Sequence, residues 1–153
     1  MPQFEKIHPV QHEASNMFDL VADIERYPEF VPLCQSLDVT SEREKSGRKV
    51  LLANMSVGYK SIRETFTCQV VLNREANEIV ASYIDGPFKY LENKWYFETT
   101  GEGRCDIHFK LDYEFKSKAL ALLMGSMFDR AFAKFTQAFE ERANELYGSE
   151  SLV

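Results

Sequence analysis

Hydrophobic and polar residues change their period twice along this chain. Near the N-terminus Ala14, Met17, Phe18 and Val21 recur at i, i+3, i+4 and i+7, the spacing of one helical face. Before them Gln3 to Val10 reads as a strand closing at Pro9. After them "DIERYPEFVPL" carries Pro28 and Pro32, which forbid a continuous helix and permit a short second one. From Cys34 to Phe115 the period drops to two, interrupted by turn signals at "KSGRK", "VGYK", "NREANE", "DGP" and "TTGEGR". That predicts six strands. In the last, Cys105, Ile107, Phe109, Leu111, Tyr113 and Phe115 share one face, opposite Asp106, His108, Lys110, Asp112 and Glu114. One dry and one wet face is the habit of an antiparallel sheet, and His108 reads as a lone exposed histidine.

From Ser117 the period returns to 3.6. Ser117 is a candidate N-cap and Gly148 a C-terminal stop around a stripe that includes Leu120, Leu123, Met124, Met127, Phe128, Ala131, Phe135, Phe139 and Leu146. A helix of about 30 residues would make a rod of roughly 45 Å. The economical packing lays this rod across the concave face of a curved sheet. A straight rod and a curved sheet mate imperfectly, so an apolar gap is expected between them, and large apolar gaps are ligand sites.

Two segments bear on whether side chains fill that gap. In "DGPFKYLENKWYFE", Gly86-Pro87 predicts a tight bend, with Phe88 and Tyr90 beside it. Leu91, Asn93, Trp95 and Phe97 then point one way, and Lys94, Tyr96 and Glu98 the other. In the second segment, Ile62, Glu64, Phe66, Cys68, Val70 and Leu72 form an apolar row in which Glu64 is the misfit. Asn93 and Glu64 are polar groups in inward rows and need partners, either a neighbour or the head of a mostly apolar ligand.

Composition narrows the function classes. The chain has 153 residues, 44% of them hydrophobic and 27% charged, which suits one globular domain. No apolar run approaches the ~20 residues of a membrane span. "MPQFEKIHPVQHE" has no basic region followed by an apolar one, so no signal peptide is expected and the predicted location is cytoplasmic, with room for peripheral association at the inner membrane. A net charge of −6 argues against DNA, and the basic stretch "SEREKSGRKV" reads as a hairpin turn. Cys34, Cys68 and Cys105 stand far apart, and His8, His12 and His108 form no ligand motif, so neither disulfide, metal nor cofactor is expected.

"VADIERYPEFVPLC", "DGPFKYLENKWYF", "CDIHFKLDYEF" and "MFDRAFAKFTQAFEERA" together resemble the coenzyme-Q-binding START-like family. That family is related to the polyketide cyclase/dehydrase group, and its bacterial members are also labelled RatA ribosome-association toxins. The resemblance spans nearly the whole chain in order. It implies an α+β helix-grip fold over residues 1–148, followed by a polar tail, 149–153. The fold would be a curved seven-stranded antiparallel sheet around a long C-terminal helix, with two short helices after the first strand. It also implies that the groove holds ubiquinone or a related isoprenoid lipid, in a lipid-binding or chaperone role supporting respiratory electron transfer. On this resemblance Tyr27 to Pro32, including Phe30 and Val31, form part of the cavity entrance near Gly86-Pro87-Phe88. Trp95, Phe109, Tyr113, Met124, Met127 and Phe128 form its wall. One departure is the absence of an expected glycine near Asn93.

With Glu64, Phe66, Phe88, Tyr90 and Asn93 these make up the expected ligand-binding set, and Tyr27 to Leu33 is the expected membrane-docking segment. Two other readings stay open: a toxin that binds a ribosomal subunit and blocks subunit joining, and a polyketide cyclase or dehydratase. The second needs paired titratable groups in the cavity, and the sequence offers only Glu64.

Overall fold

In the computed structural model, which describes residues 3–59 and 62–148, these residues form seven strands, three α-helices and a 3-10 helix. The tail 149–153 and the end of the expected "VGYK" turn lie outside the described residues. In order the elements are β1 (Gln3–Val10), α1 (Ala14–Ala22), a 3-10 helix (Ile24–Glu29), β2 (Cys34–Lys45), β3 (Arg48–Tyr59), β4 (Ile62–Asn73), β5 (Glu78–Asp85), β6 (Phe88–Gly101), β7 (Arg104–Phe115), α2 (Lys118–Ala133) and α3 (Phe135–Tyr147). The strands make one antiparallel sheet ordered β1-β7-β6-β5-β4-β3-β2. This is the expected helix-grip arrangement. Edge strand β1 carries Pro9, which is tolerated there because an edge leaves one row of backbone N–H groups unpaired.

Local chemistry accounts for the turns. Ser46 and Gly47, both at positive φ, link β2 to β3 in a two-residue hairpin. Gly86 is required twice over: its φ is +144°, and a Cβ there would stand 2.5 Å from the Cβ of Phe66. Register shifts between Thr67 and Cys68 and between Phe88 and Tyr90 flank it, so the sheet bends where Gly86-Pro87 predicts a bend. The Ser117 side chain caps α2 by accepting from the Leu120 N–H at 3.0 Å.

The C-terminal rod is not continuous. It breaks at Lys134, whose N–H donates back to Ala131 in a tightened turn, giving two helices of roughly 24 and 20 Å. α2 packs on β7, while α3 packs on α1 and, through Phe135 and Phe139, against Phe109 and Trp95 of the sheet. Long-range bonds fasten α3, among them His8 Nε2 to Glu140 at 2.8 Å and His12 Nε2 to Asn144 at 2.7 Å. The expected stripe is also trimmed, because Leu123 and Leu146 face solvent.

Candidate ligand cavity

Inward side chains pair across the sheet in rows set by strand register. One row runs Leu51, Val70, Ala81, Asn93 and Leu111 across β3 to β7. The next runs Ile79, Trp95 and Phe109. Ala53 and Ala81 are small residues on this face, and with Ala131 of α2 above them they leave space between the layers. The result is a cavity of about 120 Å³ between sheet and helices. Its floor comes from Met55, Phe66, Cys68, Val70, Leu91 and Leu111, its roof from Phe128, Ala131, Phe132 and Phe135, and one end from Ile24, Tyr27, Leu33 and Leu37. Leu33 holds a φ of +67°, a strained backbone for a non-glycine residue beside a cavity.

Polarity inside is confined to a few groups with partners of their own. Asn93 donates through Nδ2 to the Lys110 carbonyl at 2.9 Å and accepts through Oδ1 from Trp95 Nε1 at 2.7 Å. It thereby fixes the indole orientation and keeps one N–H and one lone pair in reserve. The Tyr27 hydroxyl donates to the Val21 carbonyl, and burial pushes its pKa far above the usual phenol value. Burial pushes the Cys68 thiol up to about 12. Among the described lining residues there is no carboxylate, histidine, lysine or arginine.

Of the residues the sequence suggests as ligand-binding, the structure gathers Phe66, Asn93, Trp95, Phe109 and Phe128 around the cavity. The other eight lie elsewhere. Phe88 and Tyr113 join Phe115, Phe128 and Phe132 in an aromatic cluster beneath α2, with Phe88 stacked on Phe115 at 4.9 Å. Tyr113 donates to Asp129 at 3.1 Å. Met124 is fully buried core, and Met127 packs against the core half-buried. Glu64 is half-buried opposite Val57, outside the cavity lining. Tyr90 lies in a surface depression with Ser82, Lys89 and Asp112. Val31 is buried and Phe30 half-buried against Phe139, with the Arg142 guanidinium 5.2 Å above the Phe30 ring. Arg142 also bonds Glu29, and Arg26 together with Arg142 holds that carboxyl below the usual carboxylate range. The 3-10 helix is thus latched to α3.

The aromatics of Asp85–Glu98 therefore divide three ways. Trp95 walls the cavity, Phe88 and Phe97 are core, and Tyr90 and Tyr96 lie at the surface. The sequence reading missed Leu33, Leu37, Ala53, Ala81, Phe132 and Phe135 as lining; a single alanine in each inward row of β3 and β5, Ala53 and Ala81, was the available signal. His108 is not alone: it bonds Glu98 at 2.9 Å and lies 5.3 Å from the Tyr96 ring. Glu98, Asp106 and His108 are close enough together to share a metal ion, but they lie in the outward rows of β6 and β7 and do not line the cavity. The three cysteines are buried and free. No helix among the described residues is long and apolar enough to cross a membrane.

Residues 10–140 match the family described as polyketide cyclase / dehydrase and lipid transport. A Vibrio cholerae protein named ribosome association toxin RatA is 34% identical over 148 residues, 97% of this chain and 99% of its own. The mitochondrial coenzyme Q-binding protein coq10 of Schizosaccharomyces pombe is 28% identical over 141 residues, 92% of this chain and 85% of its own. Among solved structures, an 18 kDa protein of Caulobacter crescentus superposes with a TM-score of 0.79 at 30% identity, covering 97% of this chain and 100% of its own. On these matches, the chain belongs to the polyketide cyclase/dehydrase and lipid transport family.

Proposed function

We propose that the protein binds ubiquinone or a related isoprenoid lipid in this cavity, as a lipid-binding or chaperone protein supporting respiratory electron transport. The observation that carries the reading is the lining itself: aliphatic and aromatic surface with a single amide, Asn93. A quinone ring is flat and apolar with carbonyl acceptors at its edge. The spare Asn93 N–H supplies the donor such a carbonyl requires, and Trp95 and Phe109 supply ring faces.

Size refines the proposal. A cavity of about 150 Å³ holds benzene, whereas pockets for drug-sized ligands run to ~300–1,000 Å³. At about 120 Å³ the closed cavity is slightly smaller than the first of these, so a substituted quinone ring needs some expansion and its tail needs more. Binding the whole lipid requires the roof to lift, and the break at Lys134 between α2 and α3 is the natural place for it to flex.

The lining argues against catalysis. Proton transfer needs a group that changes charge near neutral pH, and the two titratable side chains here, Tyr27 and Cys68, both stay protonated. Association with a ribosomal subunit is the second reading, supported by relatives at 34% identity that are named ribosome association toxins.

Trp95 is the sole tryptophan and lines the cavity, so its fluorescence reports occupancy. Titration with a short-tailed ubiquinone should quench it saturably, and Asn93→Leu should weaken the response. No quenching, together with salt-sensitive co-sedimentation with a ribosomal subunit, would favour the second reading.

A further inference from the structure

Leu122, 85% exposed, and Leu123, 61% exposed, are the most exposed large apolar residues described. Leu122 projects from the outer face of the first half of α2, shared with Ala119 and Ser126, and Leu123 from its flank, beside Leu120 and Met127, which lean toward the core that Met124 enters. Neither leucine contributes to the packed interior. Helix propensity alone does not call for them, since lysine or glutamine would serve as well in water.

Charge singles out the same place. The chain is acidic overall, with a net charge of −6, yet from Lys116 to Phe128 it carries two lysines and no acid. Lys116 and Lys118 are both exposed. The flanking acids are partly engaged: Glu114 pairs with Lys89 at 2.9 Å, and Asp129 accepts from Tyr113. Asp85 has no ion-pair partner among the described residues and sits at the turn before Pro87, whose carbonyl accepts from the Lys116 N–H. Ile84, also exposed, sits at that same end of the sheet.

We propose that the first half of α2 docks on an anionic lipid surface. Leu122 and Leu123 enter the boundary between headgroups and acyl chains, and Lys116 and Lys118 lie among the phosphates. The proposal rests on reading the cavity as a lipid site. Further along α2, Phe128, Ala131 and Phe132 line the cavity, so docking would set one face of the helix on the bilayer and the other on the ligand. The Tyr27 to Leu33 segment expected to dock has no such surface, because Tyr27, Phe30, Val31 and Leu33 are all buried or half-buried. A second copy of the chain fits poorly. Two leucines fall far short of the roughly 800 Å² per partner that a stable interface buries.

The test is sedimentation of the full chain with vesicles of phosphatidylcholine alone and of phosphatidylcholine with phosphatidylglycerol. The wild type should partition onto the anionic vesicles. Leu122→Ser with Leu123→Ser should lower that partitioning at least ~10-fold. Lys116→Gln and Lys118→Gln should each lower it about 5-fold on anionic vesicles, with no effect on neutral ones. All four positions are exposed, so the thermal midpoint and the Trp95 response to quinone should not move. Wild-type protein that ignores vesicles, or leucine variants that bind them as the wild type does, would overturn the proposal. So would leucine-dependent binding to ribosomal subunits in place of vesicles, or a dimer that these substitutions dissolve. If vesicle binding follows the leucines while Trp95 ignores quinone, docking stands and the ligand reading falls.

Discussion

Ala81→Leu adds about three carbon groups where β5 faces the cavity, between Val70 and Asn93 in the cross-sheet row. If that space is empty, filling it stabilises the free protein. Three groups at ~0.8 kcal/mol each give at most ~2.4 kcal/mol. Filling all of the roughly 120 Å³ at ~24 cal/mol per Å³ gives ~3 kcal/mol, a second upper bound of the same size. Imperfect fit reduces both, so the expected gain is ~1–2 kcal/mol, read as a rise of roughly 2–4 °C in Tm per kcal/mol. The same change should abolish quinone quenching of Trp95, because ring and leucine compete for one volume. Ala143→Leu is the matched control: Ala143 is fully buried and does not line the cavity, so overpacking there should cost about 1–3 kcal/mol. Stability and binding should thus move in opposite directions at Ala81 alone. Loss of stability in Ala81→Leu comparable to that of Ala143→Leu, with quinone binding intact, would refute the cavity and return these side chains to ordinary core.

Three further outcomes follow from individual contacts. Asn93→Leu leaves Trp95 Nε1 and the Lys110 carbonyl without their partner and should cost ~1–3 kcal/mol in urea unfolding, while also weakening quinone quenching. Gly86→Ala forces a Cβ onto Phe66 at a φ of +144° and should cost more than ~1 kcal/mol, with loss of the bend visible as altered near-ultraviolet dichroism. Burial pushes the thiols of Cys34 and Cys68 up to about 12 and that of Cys105 up to about 11. Their contribution to stability is therefore complete below the ordinary thiol value of about 8.5 and is lost as pH rises from there toward the native values, because only the unfolded chain ionises. The urea midpoint should fall between about pH 8.5 and 10.5, and Cys68→Ala should make that fall shallower.

Much of the fold was legible because period and punctuation agree. The strict alternation from Cys105 to Phe115 became β7 with every expected inward residue buried. Ser46-Gly47, Gly86-Pro87 and Ser117 each perform the turn or cap that their chemistry suggests. The break at Lys134 was illegible, since neither Pro nor Gly marks it and the apolar stripe runs through it. The site was legible only in part, because alternation tells which face a residue takes, not whether the space before it is filled. Phe88 and Tyr113 look the same in sequence as Trp95 and Phe109; cross-strand register sends the first pair into a dry cluster and the second to the cavity. The clasp of His8 on Glu140 joins residues 132 apart, which a single sequence does not pair.

The most direct measurement of the central claim is to purify the protein without detergent from quinone-containing cells, extract it with organic solvent, and record mass and redox-difference ultraviolet spectra. A near-stoichiometric isoprenoid quinone, lost in Ala81→Leu, is the predicted result. An extract without quinone, unchanged after incubation with added quinone, would contradict the account and leave the ribosomal reading to be pursued.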